Sequence, residues 1–79
     1  MITAEITVRT PAAAALYQAA QPELMNTLRT TIMARQEKEN VIFILESKDG
    51  TSFRAAVNAV IQIITVFEKM NQLNQVRHG

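Results

Sequence analysis

The side chains able to do covalent or proton-transfer chemistry are few and far apart in this 79-residue chain. Serine occurs only at Ser47 and Ser52, and the sole histidine is His78, near the C-terminus. A serine nucleophile needs a base within hydrogen-bond reach, and a terminal histidine is poorly placed to serve either one. The chain has no cysteine, which excludes disulfides, thiolate nucleophiles and thiolate metal sites. A zinc centre needs several nitrogen, sulfur or carboxylate ligands together, and one histidine does not begin such a set. The carboxylates Glu5, Glu23, Glu37, Glu39, Glu46 and Asp49 fall on the outward positions of strand-like runs or in turns, where water solvates them. Glu68 is the exception, at the edge of an apolar helical stripe, placed either to snorkel to water or to pair with a partner. Gly50 and Gly79 are the only glycines, too few for a phosphate-cradling loop. The residues therefore carry no expectation of catalysis, cofactor or metal.

Nucleic-acid chemistry is also thinly represented. The net charge is +1 and the eight Lys/Arg are dispersed, so no strong phosphate-binding patch is expected. The GxxG clamp of KH-type modules is absent, and so are the sheet-surface aromatics of RRM-type modules, since Phe43 reads as inward-facing. Arg29 and Arg35 share one side of a strand-like run, with Arg9 or Lys48 near it. They allow an alternative reading as a stand-alone small RNA-binding domain, against ordinary solubilising charge. A generic dimeric interaction module is a third reading.

Seventy-nine residues make a single domain, 1–79, with its core over about 2–73 and a fraying tail over 74–79. A domain of this size buries only about 60% of the surface its unfolded chain exposes, and such domains often rely on disulfides, metal or association. With the first two excluded, a partner is the expected stabiliser. The start, "MITAEITVRT", lacks the basic region and apolar core of a signal peptide. The apolar run Val57–Phe67 is broken by Asn58, Gln62 and Thr65, which argues against a membrane span. Both point to the cytoplasm.

Alternation in "ITAEITVR" sets Ile2, Ala4, Ile6 and Val8 on one side and predicts a strand with one buried face. Thr10 is suited to cap an alanine-rich helix starting at Pro11, which Pro22 ends. Glu23–Asn26 reads as a short connection. A second strand begins near Thr27, with Arg29, Thr31, Met33 and Arg35 on one side. "EKEN" (Glu37–Asn40) forms a hairpin turn. The third strand, "VIFILES", is apolar on both faces, as expected of a central strand. Thr51 or Ser52 caps a long last helix. These patterns predict an α+β fold of order β-α-β-β-α: a three-stranded antiparallel sheet with two helices packed on one face.

Two surfaces of that fold remain apolar. On the last helix, Phe53, Ala56, Val57, Val60, Ile63, Ile64, Phe67 and Met70 form a stripe for the sheet. Arg54, Asn58, Gln62, Thr65, Lys69 and Gln72 form a polar strip roughly opposite, and Ala55, Ala59, Val66 and Leu73 form a second apolar edge between them. The first helix has no charge from Pro11 to Gln21, with Ala12, Ala13, Leu16, Ala19 and Ala20 as its inner stripe and Ala14, Tyr17 and Gln18 outside. Small uncharged outer residues let another helix approach closely. On the sheet, Met33, Ile42 and Ile44 would be left uncovered by the helices. Burying one such large side chain is worth about 1.5–3 kcal/mol.

At "SFRAAVNAVIQII" the chain resembles the CTAG/Pcc-one family, the small dimerising subunit of the KEOPS (EKC) tRNA-modification complex. Phe53, Arg54, Ala55 and Asn58 match the family's Leu/Phe-Arg-Ala-x-x-Asn element at the start of its last helix. The layout around it is also similar, so the resemblance covers about Ile2 to Leu73. Two departures are Ala59, where the family pattern has a serine, and the lack of an aromatic near Ile61–Ile64, which leave a divergent paralogue open. The resemblance implies a non-catalytic accessory subunit of the complex that makes threonylcarbamoyladenosine in tRNA. Implied partners are a second copy or a paralogue, the catalytic subunit of the complex, and a weak or shared tRNA contact. With the surfaces above, Met33, Ile42 and Ile44 become the expected dimer interface. Ala14, Gln18, Arg54, Ala55, Asn58, Ala59, Gln62 and Val66 become the expected interface with the catalytic subunit, although the two surfaces could exchange roles.

Overall fold

In a computed structural model that describes residues 1–76, with side chains through Asn71, every strand pairing is antiparallel. The strands are β1 (Ile2–Arg9), β2 (Met25–Asn26), β3 (Thr30–Glu37) and β4 (Asn40–Ser47). The helices are α1 (Ala13–Ala20) and α2 (Gly50–Val76), with a 3₁₀ turn at Gln21–Glu23. The sheet order β1-β4-β3-β2 places the doubly apolar β4 between β1 and β3, as its sequence predicts.

The sheet has four strands, where three are expected. Met25 and Asn26, which read as part of a connection, pair with Ile32 and Thr31. Side chains close this small hairpin. The Thr30 N–H donates to Thr27 Oγ1 at 3.0 Å, and the Thr27 hydroxyl donates to the Thr30 carbonyl at 3.1 Å. Pairing along β3 begins at Thr30, not Thr27, because Thr27–Arg29 form this turn. Between β3 and β4 a two-residue loop leaves Glu37 opposite Asn40. Lys38 takes φ 56° there, the left-handed value that two-residue hairpin loops need at their first position.

Helix starts also differ in detail. The Ala12 N–H donates to Thr10 Oγ1 at 3.1 Å, so Thr10 closes the entry turn, but α1 proper starts at Ala13. Asp49, not Thr51 or Ser52, caps α2, its Oδ1 accepting from the Ser52 N–H at 2.8 Å. That bond and the Ser52 hydroxyl, with the Arg29 guanidinium 2.8 Å from Oδ2, hold the Asp49 carboxyl below its ordinary 3.8. A depressed carboxylate stabilises the fold above its unfolded value and loses that contribution as pH falls below about 3.8. Asp49→Ala should therefore lower the melting temperature at neutral pH. Asp49→Asn, an equally good cap, should lose less, and its gap from the wild type should narrow as pH falls below 3.8; thermal melts at neutral and at acid pH check this.

The core lies between the sheet and the helices. Phe43, Leu45 and Val41 from β4, Ile32 from β3, Ala13, Leu16 and Ala20 from α1, and Ala56 and Val60 from α2 are all buried. Ile6, Val8, Phe53, Val57, Ile63, Ile64 and Phe67 pack against them. Tyr17, expected outside, also packs against this core. Ser47 is buried on the same side, and its hydroxyl donates to Thr30 Oγ1 at 3.4 Å. Met70, assigned to the sheet-facing stripe, is 60% exposed. At 1.5 Å per residue, α2 runs about 40 Å, whereas an eight-residue strand spans about 26 Å, so the helix outruns the sheet beneath it. Asn74–Val76, expected as tail, continue α2, and residues 77–79, including His78, lie outside the described region; so do the side chains of Gln72 and Leu73. By length and composition alone, Gly50–Asn71 could cross a membrane. Its docked side, from Phe53 to Phe67, instead packs against the domain's own core.

Candidate interaction surfaces

Pairing register defines what the uncovered side of the sheet presents. Glu5, Ile44 and Met33 form one row across β1, β4 and β3, and Thr7, Ile42 and Arg35 the next. Thr3, Glu46 and Thr31 lie beyond the first row, and Arg9, Asn40 and Glu37 beyond the second. The three expected dimer residues are thus brought together on one face. They are not equally free: Met33 is 47% exposed, Ile44 is half-buried, and Ile42 is only 8% exposed. Ile42 lies on the central strand between Thr7 and Arg35, so its own chain already covers most of it, contrary to the expectation of an open position. The exposed apolar area of this face is therefore smaller than the alternation implies.

Neither Arg29 nor Arg35 is free of an acidic partner. The Arg29 guanidinium pairs with Asp49 at 2.8 Å, and Arg35 Nε with Glu37 Oε2 at 2.7 Å. Arg29 falls in the turn before β3, outside the paired rows of the open face, and its guanidinium buttresses the α2 cap. The expected shared arginine surface is thus divided, and each half is partly neutralised by its own chain.

A groove of about 340 Å³ runs between the end of α1 and the second half of α2. Ala19, Ala59, Ile63, Val66, Phe67 and Met70 give it apolar walls, while Gln62 and Glu23 supply its polar groups. Of the eight helix residues expected at a partner interface, Ala59, Gln62 and Val66 line it. Ala55 and Asn58 are exposed on earlier turns of α2, and Arg54 borders a separate shallow depression with Gly50 and Thr51. Ala14 and Gln18 are exposed on α1 but do not line the groove. Its α1 wall is Ala19, followed by Glu23 from the 3₁₀ turn, neither of which is among the expected interface residues. The signal for them is weak because an alanine-rich helix looks alike from every side, so periodicity does not fix which alanines face inward. Val66 is 47% exposed, whereas Ala59 is half-buried and packs against the core.

The groove is mostly apolar and open to solvent, with walls made by the end of α1, the turn after it and α2. Such a surface suits an amphipathic helix laid into it. Among the described residues there is no group of three or more His, Cys, Asp or Glu that could hold a metal ion. Neither the curated proteins nor the solved structures contain a match to this chain. One family model, described as "Transcription factor Pcc1", matches residues 1–72. That match spans all four strands, α1 and most of α2, and with it the chain belongs to the Pcc1 family, the family of KEOPS subunits.

Proposed function

We propose that this chain is a non-catalytic, dimerising accessory subunit of the KEOPS complex, acting in the cytoplasm in the synthesis of threonylcarbamoyladenosine in tRNA. Its role is to hold the catalytic subunit through the α1–α2 groove and to join two such assemblies through its sheet. The observation that carries this reading is the apolar groove itself. Exposed apolar side chains on two helices of a small domain are costly in water, and Val66 and Met70 have no covering element among the described residues. Family membership supports a place in a multi-subunit assembly engaged in tRNA processing. The stand-alone RNA-binding reading is the weaker one, because Arg29 and Arg35 are both ion-paired within the chain.

Co-expression of the tagged chain with the KEOPS catalytic subunit of the same organism tests the first part. The two should co-elute as one species in size-exclusion chromatography, and separate elution would contradict the proposal. The open sheet face, with Met33, Ile42 and Ile44, is the proposed homodimer surface. Ile44→Asp should convert the isolated chain to folded monomers, as read by light scattering and circular dichroism. The more exposed Met33→Lys should shift the same equilibrium without threatening the fold. An unchanged dimer mass in both variants would rule this face out.

A further inference from the structure

We propose that in this dimer the two open faces stack with their strands antiparallel, β4 on β4, so that Arg9 of each copy reaches Glu46 of the other. The inference rests on the reading that the open face makes the dimer. Two identical faces can stack about a two-fold axis that runs either along the strands or across them. With the axis along β4, each β4 residue meets itself. Glu46 then opposes Glu46, and like charges directly opposite are destabilising. That arrangement also sets Arg9 against Glu37, which is already held by Arg35 at 2.7 Å.

The crosswise axis gives a different pattern. Ile44 of each copy lies over the small exposed part of the other's Ile42, twice, at the centre of the interface. Glu46 faces Asn40, Glu5 faces Thr7, and Glu37 faces Thr31, so no acid opposes an acid. Arg9 faces Thr3, and the register pairs Thr3 with Glu46 on the next strand, about 4.8 Å away. A long arginine side chain spans that gap. Arg35 faces Met33, whose exposed thioether the arginine stem can cover while its guanidinium stays on Glu37. Glu46 and the exposed Arg9 lie at opposite ends of the face, and Glu37 beside Arg9 is already held by Arg35, a distribution that a reversed copy complements.

The symmetry makes a sharp test. Arg9→Glu alone sets the introduced carboxylate against Glu46 twice, and Glu46→Lys alone sets the introduced ammonium against Arg9 twice. Each variant should weaken self-association about tenfold by sedimentation equilibrium. Mixed in equal amounts, the two variants should form a heterodimer within about threefold of wild-type affinity. In that heterodimer one contact joins the two introduced groups and the other joins Arg9 to Glu46, so both are between opposite charges. A mixture as weak as its components would overturn the proposal, as would rescue of Arg9→Glu by Glu37→Lys in place of Glu46→Lys. If neither charge variant alters affinity while Ile44→Asp still gives monomers, the arrangement is wrong and the open-face dimer stands. If Ile44→Asp leaves the dimer intact, the reading beneath it falls as well.

Discussion

Val66→Glu should abolish co-purification of this chain with the KEOPS catalytic subunit while leaving the chain itself folded. Val66 lines the groove and is 47% exposed, so in the isolated domain a glutamate there stands in water at little cost. With a helix seated in the groove, the same carboxylate would be enclosed among Ala59, Ile63 and Phe67, where the groove's own lining supplies no cation. Desolvating an unpaired charge costs several kcal/mol. Even about 3 kcal/mol is more than a hundredfold in affinity. Glu23 on the opposite wall adds like charge to the same site. Val66 is the better probe than Ala59, which touches the core, because a glutamate at Ala59 would disturb folding and binding together. A pull-down beside a thermal melt separates the two effects. Loss of the partner with a wild-type melt is the expected result, and retained binding would remove the groove as the docking site.

Phe43→Ala should be the most damaging single core change. Phe43 is fully buried on the central strand, beneath both helices, and is the largest of the fully buried side chains. Removing a buried phenylalanine ring costs about 3–5 kcal/mol, since the transfer energy is lost and a cavity remains. Whole domains are stable by only about 5–15 kcal/mol, and small ones lie toward the low end. Much of the isolated variant should therefore be unfolded near 37 °C. In urea its midpoint should fall sharply with the slope unchanged. Partner binding acts on the folded state alone, so the catalytic subunit should raise the variant's apparent stability by mass action. A midpoint near that of the wild type would mean that the core does not rest on β4.

Much of this architecture is legible in the sequence because periodicity acts over long segments. Eight alternating residues define β1, and the stripe from Phe53 to Phe67 spans four turns of α2, so tertiary context has little room to override either. A strand apolar on both sides is expected at the centre, and β4 lies there. Features set by one or two residues are not legible. A two-residue strand such as Met25–Asn26 has no period, and its pairing depends on the Thr27–Thr30 bonds, which exist only in the folded turn. The α2 cap lies at Asp49 because its carboxylate is held from two sides, by the Ser52 N–H and by Arg29, and the second is distant in sequence.

The interaction surfaces are legible in type but not in outline. The apolar edge of α2 follows from angles alone, and its Ala59 and Val66 fall in the groove, joined by Gln62 from the border of the polar strip. Their counterpart on α1 does not, because Ala14 and Ala19 carry identical side chains and only packing decides which one borders α2. Met70 departs from its expected place for a related reason: a helical wheel has no length, and the sheet ends before α2 does. Ile42 shows the same limit on the sheet, where alternation gives the face and the neighbouring strands determine exposure.

The central claim is that the catalytic subunit sits in the α1–α2 groove. A photo-activatable phenylalanine analogue placed at Gln62, which lines the groove, and separately at Thr65, on the polar strip, addresses it directly. Irradiation in the presence of the purified catalytic subunit should give an adduct from Gln62, mapping by mass spectrometry to a helix of that subunit, and none from Thr65. Adducts from Thr65 alone, or from neither position in a complex that still forms, would contradict the account.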